Sequence, residues 1–307
     1  MKALVISGGG SKGAFAGGVA QYLMQEQGKK YDMFLGTSTG SLLIPHLALG
    51  NLDKVYDIYT NVNQNTIFSV NPFVVRHKGD REFVSINFLS TIRQFIRRKR
   101  TFGESKNLRR SIRRNFSKEE FELAKISVED VVVTVSNLSR NKTEYKSIQE
   151  FEYEDFCDWI WISCNYVPFM SLVTKNGYEY ADGGFGCIVP IREAIRRGAT
   201  EVDAIILESE NMEHNKVLGK NPFSLMTNLF SFLMDQVEYH DIAVGKLAAK
   251  HRDVALNLYY TPSKLTENSL IFNKKLMKSW WQQGFDHAAT IAEERSLNKL
   301  KDLDTAG

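Results

Sequence analysis

The sequence predicts an α/β protein in which helices cover both faces of a mainly parallel central sheet. Two observations lead to this fold class. Short apolar runs typical of buried strands alternate with segments of helical periodicity along most of the chain. The chain also opens with an apolar run at residues 3–6, a glycine-rich turn and a helical segment. We therefore expect a three-layer α/β/α architecture, because a parallel sheet needs helices on its two faces.

The elements after the first helix follow the same alternation. Predicted strands cover residues 31–35, 130–136, 143–148, 172–174, 178–181, 202–207 and 253–260. One predicted helix begins at Ser38, and others cover residues 154–164, 190–197, 223–249 and 273–300. We expect a single domain over residues 1–307. Within it, residues 64–125 are expected to form a helical, basic cap insertion, and residues 210–307 the C-terminal helices and a last strand.

Composition narrows the class of protein. Of the 307 residues, 43% are hydrophobic and 24% charged, which is ordinary for a globular protein. The three cysteines are too few and too scattered for a disulfide framework, and no His/Cys cluster suggests a metal. No apolar run approaches 18 residues, and Met1 and Lys2 open directly onto a strand. We therefore expect no cofactor, no metal, and a cytoplasmic protein that associates at most peripherally with a membrane.

Positive charge is concentrated in residues 93–118, which carry eleven Lys or Arg against one acid, Glu104, although the whole chain has a net charge of only +3. Apolar residues recur beside these arginines at helical spacing: Phe88, Leu89, Ile92, Phe95 and Ile96. Such a helix can lie on an anionic bilayer. It can equally pack its apolar side on the core or on a second subunit, and the charges can form a solvated face.

The glycine turn after the first strand has the spacing Gly8-x-Gly10-x-x-Gly13, which also fits a dinucleotide site. That site needs an acidic residue at the far end of the second strand. Asp32 lies at about the required distance, but it precedes the apolar run instead of closing it. The second strand leads into residues 36–40, which a dinucleotide site does not require, and different chemistry is therefore favoured.

Residues 36–40 read Gly-Thr-Ser-Thr-Gly and fit the nucleophile motif G-x-S-x-G. In that motif the serine sits on a sharp strand-to-helix turn, and here a predicted strand precedes Ser38 and a predicted helix follows it. Ser38 would also lie at a helix N-terminus, where a developing negative charge is stabilised. The simpler alternative is that Ser38 only caps the helix.

Acyl transfer by a serine also needs donors for the oxyanion and a base. Gly9, Gly10 and Ser11 end the first strand, and adjacent parallel strands would bring their amides to the same sheet edge as Ser38. Lys12 either adds positive potential there or is a solvated surface lysine. None of the six histidines lies in an obvious motif, and His46 lies two helical turns beyond Ser38.

An acid in a tight glycine turn, Asp182-Gly183-Gly184, offers another base. The two glycines after the acid let the backbone bend so that the carboxylate projects. A structural Asp-Gly turn explains the same residues.

Together, these stretches resemble the patatin-like phospholipase family. The resemblance rests on residues 8–13 (Gly-Gly-Gly-Ser-Lys-Gly), on residues 36–40, on residues 182–184, and on residues 163–169, which are similar to a family segment ending in Pro-x-Phe. It spans residues 3 to about 210. One departure is visible: the family usually has an asparagine where Ile188 stands, although Pro190 is kept.

The resemblance implies a Ser38–Asp182 dyad, with Ser38 as nucleophile and Asp182 as its base, and an oxyanion hole formed by Gly9, Gly10 and Ser11. It implies hydrolysis of acyl esters of phospholipids, lysophospholipids or neutral glycerolipids without a metal. Because Ile188 cannot supply the side-chain hydrogen bond of an asparagine behind Asp182, this departure bears on the turnover rate more than on the type of reaction. A serine acyltransferase, or a catalytically weak lipid-binding member of the same fold, remains an alternative. We expect a glycerolipid ester as partner, with a homodimer possible, and no nucleic acid.

Overall fold

A computed structural model describes residues 1–78, 81–210 and 222–305. In chain order its strands are β1 (Lys2–Ile6), β2 (Met33–Thr37), β3 (Phe73–Lys78), β4 (Arg81–Ile86), β5 (Asp130–Asn137), β6 (Lys142–Ser147), β7 (Val173–Lys175), β8 (Tyr178–Asp182), β9 (Glu201–Ser209) and β10 (Ala255–Thr261). Its helices are α1 (Gly13–Gln21), α2 (Thr39–Ala48), α3 (Leu52–Thr60), α4 (Gln64–Ile67), α5 (Phe88–Ile96), α6 (Lys106–Asn115), α7 (Lys118–Ser127), α8 (Tyr153–Ser163), α9 (Ile191–Arg196), α10 (Pro222–Arg252) and α11 (Lys274–Thr305).

The central sheet has eight strands in the order β10-β9-β1-β2-β5-β8-β7, and β6 also pairs with β5. The five strands from β10 to β5 run parallel to one another. The pairs of β5 with β6, β5 with β8 and β7 with β8 are antiparallel. The sheet is therefore mainly parallel, as predicted, with antiparallel strands gathered at one side.

Alternate residues of each central strand point to opposite faces of the sheet and build two cores. In β1, Leu4 and Ile6 join one buried cluster, whereas Ala3 and Val5 join the other. The first cluster takes its helical residues from α1 to α4, α6 to α8 and α11, and the second from α9 and α10. Helices thus cover both faces, and the predicted three-layer α/β/α fold is confirmed.

The segment at residues 64–125 departs from its prediction as a helical insertion. It contains helices α4 to α6 and most of α7, but β3 and β4 form a separate antiparallel hairpin within it, with Phe73 opposite Ile86. β-Branched Val74, Val75 and Val84 favour strands, and their signal was masked by the charged residues between them. Within the predicted C-terminal segment, α10, β10 and α11 are present, whereas residues 211–221 lie outside the described residues.

The N-terminal and C-terminal parts of the chain pack tightly through α1 and α11. A Cβ on Gly18 would lie 1.9 Å from the Trp281 carbonyl oxygen, and one on Gly284 would lie 2.2 Å from the Phe15 carbonyl oxygen. The two helices can approach this closely only because side chains are absent at the contact. Over residues 1–78, 81–210 and 222–305, none of the helices combines the length and the apolar character needed to span a membrane.

Candidate active site

The glycine loop and the serine turn lie side by side because β1 and β2 are parallel neighbours. Their register pairs Ile6 with Gly36, so both strands end at the same edge of the sheet. A Cβ on Gly8 would be 3.4 Å from the Cβ of Ser38. The structure therefore brings the two predicted motifs together at the carboxyl edge, where open α/β sheets bind ligands.

Ser38 occupies a strained turn between β2 and α2. Its backbone has φ 52° and ψ −117°, a conformation that costs a non-glycine residue about 1–3 kcal/mol. The turn is too tight for side chains on either side, since a Cβ on Gly40 would lie 2.2 Å from the Ile6 carbonyl oxygen and one on Gly36 would lie 2.5 Å from the Gly40 carbonyl carbon. This backbone is typical of a nucleophile elbow and exceeds what helix capping requires.

Asp182 ends β8 and faces Ser38. The Ser38 hydroxyl donates to Asp182 Oδ2 over 2.7 Å, and the Gly184 amide donates to Oδ1 over 2.8 Å. The Asp182 amide donates to the Asn165 carbonyl oxygen over 2.9 Å. A Cβ on Gly183 would lie 2.2 Å from the Thr134 carbonyl oxygen, so the turn after the acid packs directly on β5. The carboxylate is thus fixed from both sides.

Burial changes the acid strength of Asp182. Asp182 is only 3% exposed, and desolvation raises the pKa of its carboxyl to about 7. The hydrogen bonds from Ser38 and Gly184 favour the ionised form and limit this increase. A carboxylate with a pKa near neutrality is a far better proton acceptor than an ordinary aspartate.

The predicted oxyanion residues are not equivalent. The Ser11 amide donates to the Ser269 carbonyl oxygen over 2.8 Å. Gly10 has φ +56°, and a Cβ there would lie 2.2 Å from the same Ser269 oxygen. Within the part of the chain that the structure describes, the Gly9 and Gly10 amides have no protein acceptor. Two of the three predicted donors are therefore available, and the third is occupied by the loop before α11.

Lys12 and His46 are both buried near the site. Lys12 is buried and forms an ion pair with Glu208 at the end of β9, so it is not a solvated surface lysine. His46 lines the same cleft as Ser38, where it packs edge-on against Phe116. Burial, assisted by the positive charge of Lys54, lowers the pKa of His46 to about 4. Among the described residues, no histidine forms a hydrogen bond with Ser38 or Asp182.

A third stretch, at the end of α8, supports the serine turn. The Ser38 amide donates to Ser163 Oγ over 2.9 Å, and the Cys164 thiol donates to the Ser38 carbonyl oxygen over 3.1 Å. Ser163 Oγ also lies 2.9 Å from Ser41 Oγ. Residues 163–169 belong to the stretch that resembles the family segment ending in Pro-x-Phe. Within it, Ser163 and Cys164 hold the strained backbone of Ser38 in place.

An apolar cleft runs from Ser38 along one face of α2. It encloses about 830 Å³, open solvent at its mouth included. Residues at helical spacing on α2 form one wall, and α3, α4 and α6 contribute to the others. The α2 wall comprises Thr39, Leu42, Pro45 and His46. Across the described ranges, no group of three or more His, Cys, Asp or Glu side chains is arranged to hold a metal ion.

Comparisons with known proteins show the family and the fold of this chain. The family model of patatin-like phospholipases matches residues 4–195, and the chain therefore belongs to the patatin-like phospholipase family, a family of lipid acyl hydrolases. The crystal structure of VipD from Legionella pneumophila is similar in fold, with a TM-score of 0.52 and 13% sequence identity, over 95% of this chain and 67% of that one. A search of curated proteins finds no significant match.

Proposed function

We propose that this chain is a lipid acyl hydrolase that cleaves acyl esters of phospholipids or related glycerolipids with a Ser38–Asp182 dyad. The observation that carries the proposal is the 2.7 Å hydrogen bond from the Ser38 hydroxyl to a buried carboxylate. Ser38 stands at a strained elbow, and the pKa of Asp182 is raised to about 7. A serine needs an adjacent base to become a nucleophile, and Asp182 is in contact with it.

In the first half-reaction, Asp182 Oδ2 takes the hydroxyl proton as Ser38 Oγ attacks the acyl carbonyl carbon. The carbonyl oxygen becomes an oxyanion, and the free amides of Gly9 and Gly10 are its proposed donors. Removing one such donor commonly slows a reaction by about 10²–10³. The intermediate collapses when the ester bond breaks, and the lipid alcohol leaves with the proton from Asp182. The acyl group remains on Ser38.

In the second half-reaction, water replaces the alcohol. Asp182 takes a proton from the water, and the oxygen attacks the acyl carbonyl carbon. The bond to Ser38 Oγ then breaks, Oγ recovers the proton from Asp182, and a free fatty acid leaves. The apolar cleft along α2 begins at Ser38, and we assign it to the acyl chain because burying an aliphatic chain there is favourable. No step requires a metal.

A membrane surface supplies the lipid in this proposal. The apolar side of α5 does not pack on the core; its five large apolar residues are each more than half exposed, namely Phe88, Leu89, Ile92, Phe95 and Ile96. Arg93, Arg97 and Arg98 lie on or beside the same helix, and within the described ranges they form no ion pair. In contrast, Arg109 and Arg113 of α6 are neutralised by Asp158. Because its apolar residues are exposed, we assign the lipid-facing part of the basic segment to α5 and not to the whole of residues 93–118.

Aromatic rings connect α5 to the site and to a second exposed helix. Consecutive ring centroids lie 5.1–6.4 Å apart along a row made of Phe95, Phe102, Phe169, Tyr166, Phe185 and Phe230. Phe185 immediately follows the Asp182 turn, and Phe230 belongs to α10. On the part of α10 nearest Phe230, the exposed apolar residues include Leu225, Leu229, Phe232 and Leu233. A bilayer that contacts α5 and α10 would thus lie beside the Asp182 turn.

Vesicle binding tests the membrane surface. We expect the protein to co-sediment with vesicles that contain phosphatidylserine, and we expect Leu89→Ser/Ile96→Ser and Arg93→Gln/Arg97→Gln to reduce binding by about tenfold or more. Arg109→Gln, a basic residue already paired with Asp158, is the control and should bind normally. Equal binding of all variants would contradict the membrane role. So would a parent protein that is a stable dimer in solution and becomes a monomer with Leu89→Ser/Ile96→Ser.

Release of fatty acid from mixed vesicles tests the reaction. Purified protein should liberate free fatty acid without added metal, and Ser38→Ala should lower the rate by about 10³-fold or more. Ser296→Ala on the exposed side of α11 is the matched control, because its hydroxyl only bonds the α11 backbone. A Ser38→Ala protein as active as its parent would refute the proposal.

A further inference from the structure

Residues 187–189, which follow the Asp182 turn, contact both of the other parts of the site. The Cys187 carbonyl oxygen accepts a hydrogen bond from Thr37 Oγ1 over 3.1 Å, and Thr37 precedes the nucleophile. The Ile188 carbonyl oxygen accepts from the Gly8 amide over 3.3 Å, at the start of the glycine loop. One short stretch of chain therefore sets the position of the serine elbow relative to the glycine loop.

The 187–189 segment is itself held by a carboxylate from another layer. Asp241 of α10 places a single oxygen, Oδ2, 2.6 Å from the Ile188 amide nitrogen and 3.1 Å from the Val189 amide nitrogen. Ile188 and Val189 are buried, so their amides would otherwise have to reach a different acceptor. Hydrogen bonds to a charged acceptor are roughly twice as strong as neutral ones.

The position of Asp241 is in turn fixed by close helix packing. A Cβ on Gly245, one turn further along α10, would lie 2.9 Å from the Cβ of Ile191 in α9. α10 thus rests directly on the helix that continues from the 187–189 segment. Near the Asp182 turn the same helix brings the Met234 methyl group to 2.8 Å from where a Cβ on Gly184 would be. Asp241 is therefore held rigidly on an element that covers the back of the site.

We propose that Asp241 is a positioning residue whose carboxylate fixes the 187–189 segment and, through that segment, aligns the Gly8 end of the glycine loop with the Ser38 elbow. Asp241 touches neither Ser38 nor Asp182 and takes no part in proton transfer. Its effect on rate rests on the proposed hydrolase function, whereas its effect on the backbone does not. Misplacement of reacting groups by about 1 Å can slow a reaction on the order of 10²-fold.

Two variants and a control separate positioning from general stability. Asp241→Ala removes the acceptor, whereas Asp241→Asn keeps an oxygen of the same reach. Asp32→Ala is the matched control, because the Asp32 carboxylate also accepts a backbone amide, that of Lys2 over 2.7 Å, but does so at the opposite end of β1. The measurements are kcat and KM for a soluble chromogenic ester, and hydrogen–deuterium exchange of residues 8, 188 and 189.

We expect Asp241→Ala to lower kcat by about ten- to a hundredfold with KM within about twofold, and to accelerate exchange at all three amides. Asp241→Asn should restore both, and Asp32→Ala should alter neither. Unchanged exchange at residue 8 in Asp241→Ala, or an Asp241→Asn protein as impaired as Asp241→Ala, would overturn the inference. A parent protein without esterase activity would refute the hydrolase proposal, while the exchange data would still decide the role of Asp241.

Discussion

In the proposed reaction, the reactivity of Ser38 depends on a single buried acid. Asp182 accepts a hydrogen bond from the Ser38 hydroxyl over 2.7 Å. Its carboxylate is buried, so its negative charge is poorly solvated. The ordinary pKa of an aspartate would make it a weak base for a serine. Burial removes that difficulty without recruiting a histidine, and the strained backbone of Ser38 keeps the hydroxyl within reach. Acid strength and geometry are thus set by the same close packing around the Asp182 turn.

The raised pKa predicts how activity depends on pH. Only ionised Asp182 can take the serine proton, so kcat/KM for an uncharged ester should fall as pH decreases through about 7. The slope on the acid side should correspond to one proton. A profile that stays flat down to pH 5 would show that Asp182 titrates like an ordinary carboxyl and would contradict this account of the base.

The same shift has the opposite consequence for stability. The folded-state pKa of Asp182 lies above its ordinary value of 3.8, so the native state binds more protons than the unfolded state between those values. Stability contributed by this group is therefore lost as pH rises from about 4 to about 7. We expect Asp182→Asn to be inactive but more stable than the parent at pH 8, by on the order of a few kcal/mol, with the difference vanishing near pH 4. Urea unfolding at the two pH values measures it.

Among the elements, α2 follows Ser38 and forms one wall of the cleft that we assign to the acyl chain. Ser38 precedes the helix, and the cleft follows one face of it as far as His46, eight residues later, or about 12 Å at 1.5 Å per residue. His46 packs edge-on against Phe116, which also lines the cleft. In the proposed function, the length of this face limits how much acyl chain can be buried beside Ser38.

Narrowing that wall should change chain-length preference. Leu42 lies about one turn beyond Ser38, so Leu42→Trp should block the cleft close to the nucleophile. We predict that kcat/KM for a decanoyl ester falls at least tenfold relative to that for an acetyl ester, since each buried methylene contributes about 0.8 kcal/mol. Leu47→Trp is unsuitable as a control because Leu47 is buried in the core, and Leu123→Trp on the exposed side of α7 serves instead. An unchanged ratio of the two esters would show that the acyl chain lies elsewhere.

At the scale of the whole molecule, the chain closes on itself through α1 and α11. The helix that begins at the glycine loop packs against the last helix of the chain, and the loop before α11 places Ser269 on the Ser11 amide. The C-terminal part beyond the family match at residues 4–195 is therefore joined to the site by direct contacts. Stability and site geometry depend on both ends of the chain.

Gly18→Ala tests this closure. The new Cβ would meet the Trp281 carbonyl oxygen at 1.9 Å, and the backbone cannot yield cheaply there. We expect the free energy of unfolding to fall by about 1–3 kcal/mol despite the better helix propensity of alanine. Lys278→Ala on the exposed side of α11 is the control and should remain within about 0.5 kcal/mol of the parent. Equal stability of Gly18→Ala and the parent would show that α11 separates from α1 in solution.

Local sequence patterns predicted most of the strands of the sheet. They also predicted that the glycine loop and Ser38 lie at the same edge of the sheet. The glycine spacing at residues 36–40, for example, predicted the elbow, because only glycine fits on either side of Ser38. What escaped prediction depends on residues far apart in the chain. The burial of Lys12 requires Glu208, and the occupied Ser11 amide requires Ser269. The hairpin of β3 and β4 was not predicted because the charged residues between its β-branched residues obscure the strand pattern.

The most direct test of the central claim is covalent labelling of the nucleophile. A fluorophosphonate probe reacts with a serine that a neighbouring base activates, and the adduct can be located by peptide mass spectrometry. The account predicts one adduct per chain, on Ser38, that is absent from Ser38→Ala, strongly slowed in Asp182→Asn and unchanged in Ser296→Ala. A folded parent protein that takes up no label, or label that persists in Ser38→Ala, would contradict it.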